Sequence, residues 1–312
     1  MSNQPETEHG GESGDGGTQN FVVGADASPE SKAAIEWTRS VAGADDRIAL
    51  LSAWQVPVVA GYDMVVTVDP QAIERSAGQA VADQIERCDD SRLESVVCQG
   101  HSGKALVTEA EQRKAAMVVV GHRGNSRVSM MLGSTANYVL HHTTRPVVVV
   151  RGLDRQPPAG MPPKSVVVGV DAHQVANDGT RRECAENPSV RAVRWAYQLP
   201  CVERIRVVHA WFLPALAVGA FNELTTDTSS MDEAAEEVIQ MVLNTAGQPP
   251  AGVELETEVL RGRPGLSLID ESHSADLVVV GSRGRGGFTE LLLGSVTSEV
   301  AAHSHCPVAV IR

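Results

Sequence analysis

Short apolar runs recur along the chain, each followed by a longer stretch of mixed polarity. Phe21-Val22-Val23, Ile48-Ala49-Leu50-Leu51, Val118-Val119-Val120 and Val147-Val148-Val149-Val150 mark the first half. Val166-Val167-Val168, Val207-Val208, Val278-Val279-Val280 and Val308-Ala309-Val310-Ile311 mark the second. Runs of this length, many bounded by glycine or proline, suit strands buried on both faces. They predict strands near 21–25, 47–54, 92–98, 116–121 and 146–151, with helices over 30–42, 70–89, 103–114 and 134–142. In the second half they predict strands near 165–170, 204–211, 253–260, 276–281 and 307–311, with helices near 188–199, 230–246, 264–274 and 295–304. Ser28-Pro29 reads as a helix start with proline at the first position. Alternating strands and helices imply an α/β, doubly wound architecture: parallel sheets, right-handed crossovers and helices on both faces.

The two halves are copies. Trp37 and Trp195 are 158 positions apart, Gly121 and Gly281 are 160, and Gly133 and Gly294 are 161, as are Pro146 and Pro307. Landmarks in one order at nearly one offset indicate duplication of a domain-sized unit. One offset breaks: Asp26 and Asp171 are only 145 apart, which places 13 extra residues within 172–189 of the second half, of loop-like composition. Residues 1–20 carry Glu6, Glu8, Glu12 and Asp15 without lysine or arginine, and read as a disordered acidic tail. Four prolines in 152–164 mark a semi-rigid linker. The expected organisation is a tail over 1–20, a first domain over 21–151, the linker, and a second domain over 165–312.

A net charge of −13, from 26 basic and 39 acidic residues, argues against nucleic acid or an anionic membrane surface as partner. Five cysteines without CxxC spacing suit reduced thiols. With no leader pattern and no apolar stretch near the ~20 residues of a membrane helix, a soluble cytoplasmic protein is expected.

Candidate chemistry lies after each fourth strand. Val280-Gly281-Ser282-Arg283-Gly284-Arg285-Gly286-Gly287 ends a strand in a glycine-rich, basic loop, and Gly294-Ser295 then opens a helix. Glycines admit close backbone approach, and a helix start supplies free N–H groups and a positive dipole end. Together they describe a phosphate cradle. Val120-Gly121-His122-Arg123-Gly124, with Gly133-Ser134, is its first-half counterpart. In parallel sheets ligands sit at the C-terminal strand ends, where Asp26 and Asp171 also fall, after each first strand. These two carboxylates could instead serve as helix caps. There is no GxxxxGK[ST] loop, HExxH, zinc cysteine pattern or GxSxG elbow, so an obvious catalytic constellation is absent.

The spacing G-x2-G-x9-G-[ST], with an acidic residue after the first strand, resembles the nucleotide-binding signature of universal stress proteins. The resemblance covers about 20–151 and 164–312. It is supported by Val22-Val23-Gly24-Ala25-Asp26-Ala27-Ser28-Pro29 and Val208-His209-Ala210-Trp211. It implies a five-stranded sheet of order 3-2-1-4-5 in each half. It also implies ATP or a related adenine nucleotide as ligand, with Mg as a candidate companion ion. The residues it designates in the second half are Asp171, Ala210, Val280, Gly281, Arg283, Gly284, Gly294, Ser295, Val296 and Thr297. In the first half they are Gly24, Asp26, Ala53, Val120, Gly121, Gly124, Gly133 and Ser134. Nine residues separate Gly284 from Gly294, as the signature requires, but only eight separate Gly124 from Gly133, so the second half is expected to bind more strongly.

The function expected from these observations is a nucleotide-dependent regulator or sensor in a stress response. A non-nucleotide-binding adaptor acting through domain and subunit pairing, and a slow ATPase, stay open as alternatives. Homodimerisation and an unidentified protein partner also remain open. Each fifth strand should lie at a sheet edge. The expectation is that the two edges pair across a pseudo-two-fold axis within one chain.

Overall fold

A computed structural model describes residues 18–56, 69–123, 132–151, 161–171, 187–212, 228–282 and 293–312 of the chain. The acidic tail through residue 17, the linker over 152–160 and the insertion over 172–186 lie outside the described residues. The first half runs β1 (Asn20–Gly24), α1 (Pro29–Val41), β2 (Arg47–Trp54), α2 (Pro70–Cys88), β3 (Leu93–Gln99), α3 (Ser102–Gln112), β4 (Met117–Gly121), α4 (Ser134–His142) and β5 (Val147–Val150). The second runs β6 (Ser165–Gly169), α5 (Pro188–Tyr197), β7 (Arg204–Trp211), α6 (Ser229–Ala246), β8 (Glu254–Arg261), α7 (Pro264–Glu271), β9 (Leu277–Gly281), α8 (Ser295–His303) and β10 (Val308–Ile311).

Local chemistry explains where the elements begin and end. Ser28 caps α1 by accepting from the Ser31 N–H at 3.1 Å, and Asn187 caps α5 by accepting from the Ser189 N–H at 2.8 Å. Each cap is followed by proline, whose fixed φ and missing N–H suit the first helical position. Helices α3, α5 and α7 stop two or three residues short of the expected ends. After α3, Lys114 adopts φ +51°, a left-handed conformation that ends the helix. After α7, the Ser272 hydroxyl donates to the Ile269 carbonyl and also accepts from the His305 N–H at 2.8 Å, which diverts the chain.

The ten strands form one sheet of order β3-β2-β1-β4-β5-β10-β9-β6-β7-β8. Each half therefore has the order 3-2-1-4-5. Within each half all pairs are parallel. The join is antiparallel, with Val308 opposite Val149, Ala309 opposite Val148 and Val310 opposite Val147. The two fifth strands do pair, as the matching sequences suggest. Helices α1, α2, α5 and α6 cover one face through a core that includes Ile35, Val81, Val193 and Ile239. Helices α3, α4, α7 and α8 cover the other, through Leu106, Val139, Leu268 and Val300. Both cores run across the join, because β5 and β10 contribute alternate residues to each.

Side chains lock the join at its two ends. Arg312 donates to the Leu140 carbonyl in α4. At the other end the Arg151 guanidinium stands 2.8 Å from His122 Nε2, which also lies 3.1 Å from the Ala302 carbonyl in α8. Nε2 is thus set between a cationic donor and a carbonyl acceptor. Burial, and then the nearby Arg151 charge, push the His122 pKa down to about 4.

Two outcomes follow from this join. Val149→Asp places a charge at a position with 1% exposure, and should lower stability by ~3 kcal/mol or more and expose an aggregating edge. An unchanged urea midpoint would refute the pairing. The unfolded chain takes up the His122 proton near pH 6.5, while the folded chain resists until about 4. Stability from this site is therefore full above pH 6.5 and is lost as pH falls toward 4. His122→Gln keeps an acceptor without titrating; the difference in unfolding free energy between wild type and variant should shrink across that window.

Candidate functional site

The second half gathers its designated residues around one cavity of about 710 Å³ at the C-terminal ends of β6, β7 and β9. Asp171, Ala210, Val280, Gly281, Gly294, Ser295, Val296 and Thr297 all line it. Arg283 and Gly284 lie outside the described residues. The wall divides by element. The start of α8 supplies the N–H groups of Ser295, Val296 and Thr297, which precede the first intrahelical bond, from the Ser298 N–H to the Gly294 carbonyl at 2.9 Å. The ends of β7, α6 and α7 supply Trp211, Phe212, Met231 and Leu268, a largely apolar surface.

A set of hydrogen bonds fixes this frame. The Thr297 hydroxyl donates to the Gly281 carbonyl at 2.8 Å, and the Gly294 N–H donates to the Ser282 carbonyl at 2.9 Å, so the helix start is pinned to the end of β9. Ser189 closes the neck of the insertion: its Oγ accepts from the Asp171 N–H and donates to the Asp171 carbonyl, both at 2.9 Å. Asp171 is thus held at the cavity by a helix whose cap is Asn187, and is not itself that cap. His209 Nδ1 lies 2.8 Å from the Val170 carbonyl and donates to it. The Trp211 indole donates to Asp232 at 3.0 Å, and Arg261 holds the Asp232 carboxyl below its ordinary range.

The first half arranges its residues differently. Asp26 and Ala53 line a cavity of about 540 Å³ against α2. Gly24, Val120, Gly121, Gly133 and Ser134 are not part of that wall, and Gly124 lies outside the described residues. The Asp26 carboxylate accepts from the Ser28 N–H at 3.0 Å and from its hydroxyl, so it braces the cap of α1. Gly133 still opens α4, and its N–H donates to the His122 carbonyl at 2.9 Å. Ala136 stands where the second half has Thr297, so the side-chain tie from helix to strand end has no counterpart there, and only the Gly133 bond remains.

Several wall residues of the larger cavity are not legible as site residues from spacing alone: Ser189, His209, Phe212, Met231, Pro264 and Leu268. His209 and Trp211 stand in a recurring segment, which was the available signal. The others arrive by tertiary packing.

Fold and site together define a tandem doubly wound α/β protein with a cleft at the C-terminal strand ends of its second half. A family model for the universal stress protein family matches residues 17–151 and 185–312. The chain is 31% identical to a universal stress protein of Mycolicibacterium smegmatis, over 94% of this chain and 96% of that one. It is 30% identical to one of Mycobacterium tuberculosis, over 94% of each. The chain belongs to the universal stress protein family. Among solved structures, a universal stress protein of Archaeoglobus fulgidus matches with a TM-score of 0.60 at 18% identity, covering 94% of this chain and 96% of that one. A second, from Pseudomonas aeruginosa, matches at 0.58 and 14%, covering 94% and 93%. Both share the fold. No helix among the described residues is long and apolar enough to cross a membrane.

The end of β9 tolerates no side chain at Gly281, since an added Cβ would meet the Pro188 Cβ at 2.7 Å and its backbone carbon at 3.1 Å. Gly281→Ala should cost ~1–3 kcal/mol in urea unfolding as α5 is pushed off the strand. No loss of stability would mean that this junction is looser than described.

Proposed function

We propose that the chain binds ATP or a related adenine nucleotide in the cavity of the second half, and that the nucleotide sets the state of the protein. The observation that carries this reading is the convergence of the described second-half signature residues on one 710 Å³ cavity that includes the start of α8. Cavities of this size and polarity suit small ligands. Phosphate would rest on the N–H groups of Ser295, Val296 and Thr297, where the helix dipole favours negative charge. The carboxylate of Asp171 would accept from the ribose, and the base would lie among Val208, Ala210 and Leu268. Arg283 and Gly284 would complete the phosphate loop, with Mg on the phosphates.

The helix start offers groups that bind rather than groups that move protons, so rapid hydrolysis is not expected. A nucleotide that favours one conformation shifts the protein toward it by the difference in affinity, and that shift would be the output. A ligand at one hundred times its Kd also stabilises the bound fold by ~2.7 kcal/mol.

Calorimetry on the full chain tests the reading. Ser295→Ala and Asp171→Asn should each weaken ATP binding, Asp171→Asn by about 1–2 kcal/mol for a lost charge-assisted hydrogen bond. Ser134→Ala should leave the affinity unchanged. Binding that depends on Ser134 instead would move the site to the first half. No binding at all would favour the adaptor reading.

A further inference from the structure

The cavity of the first half is a separate feature. It is walled by the ends of β1 and β2 and by α2, and holds neither Gly133 nor Ser134, whereas the larger cavity takes in the start of α8 and Leu268 of α7. Its volume is about 540 Å³. Helix α2 lines it with small residues, Ala72, Ser76, Ala77 and Ala80.

Small residues alone do not make a site, but Gln84 adds an independent sign. It lines the same cavity, is 6% exposed, and its amide Nε2 has no hydrogen-bond partner among the described residues. Burying an amide without a partner is costly, and such groups are rare unless something pairs with them. The duplicated half shows what packing alone selects here. The buried positions Val81 and Gln84 of α2 correspond to Ile239 and Val242 of α6, and Ala80 corresponds to Val238. One copy fills the space with branched aliphatic side chains. The other opens it and places an amide at its wall.

The remaining polar groups restrict the ligand. Ser52 and Ser76 offer hydroxyls, and Asp26 brings a carboxylate, while the described residues of the wall include no lysine or arginine. Anions are disfavoured there, phosphate included. We propose that this cavity is a second ligand site, for a small, uncharged, mostly apolar molecule bearing a carbonyl or amide that pairs with Gln84. The proposal does not depend on nucleotide binding in the second half, and its test is run without nucleotide.

Benzamide and benzoate are suitable probes, because they share shape and differ in charge. In an NMR titration of the full-length chain, benzamide should shift the amide signals of Ser52, Ser76, Ala77 and Ala80 saturably. Benzoate should bind at least tenfold more weakly. Gln84→Val should weaken benzamide about tenfold while raising the melting temperature, since it removes the unpaired amide. Ala80→Val, which narrows the cavity as Val238 does in the other half, should weaken benzamide as well. The proposal fails if benzamide gives no saturable shifts at these residues, if benzoate binds equally, or if both variants keep wild-type affinity. A lower melting temperature for Gln84→Val would mean that the amide is already paired, and would also overturn it.

Discussion

The antiparallel pairing of β5 with β10 is the interaction on which the rest of the structure depends. Each strand is four residues long, and all eight residues are buried. Left unpaired, either would be an apolar edge open to other chains. Paired, they merge two five-stranded sheets into one and let both hydrophobic cores run through the join. Because this pair alone is antiparallel, the two halves point their C-terminal strand ends in opposite directions. The edges that carry the two cavities are therefore kept apart on opposite sides of the sheet. The reach of Arg312 to Leu140, and of Arg151 to the His122 ring beside Ala302, comes from the same pseudo-symmetry.

Divergence between the halves is concentrated at the walls and not in the frame. The first, fourth and fifth strands stay largely aliphatic in both copies. By contrast, Ser282 follows β9 where His122 follows β4, and His122 serves the join. Thr297 ties α8 to Gly281 where Ala136 makes no such bond. Gln84 faces a cavity where Val242 fills a core. Duplication preserved a scaffold whose strand-end loops and helix faces were then free to change, as expected where loops carry function and strands carry stability. The nucleotide reading of the second half and the apolar-ligand reading of the first both follow from these differences.

The central strands were legible in the sequence because each is a short aliphatic run, too short for a helix and bounded by a turn residue, as in Val118–Gly121 or Pro146–Val150. The join was legible because two fifth strands of nearly the same sequence both needed cover. The frame of the candidate site was legible too, since Gly281 and Gly294-Ser295 stand at fixed distances from their strand and helix. Its lining was not. Met231, Leu268 and Phe212 reach the cavity through the packing of α6 and α7, which no local pattern encodes. Gln84 reads as an ordinary polar position on an amphipathic helix until its register with Val242 is known. Asp26 and Asp171 look equivalent in sequence, yet one braces a helix cap and the other is clamped through its backbone by Ser189.

Photo-crosslinking with 8-azido-ATP followed by peptide mapping tests the central claim most directly. Nucleotide seated in the second half predicts label on peptides from β7 and α7, within 204–212 and 264–271, and loss of that label when excess ATP competes. Label confined to peptides of the first half, or label that ATP does not displace, would contradict it.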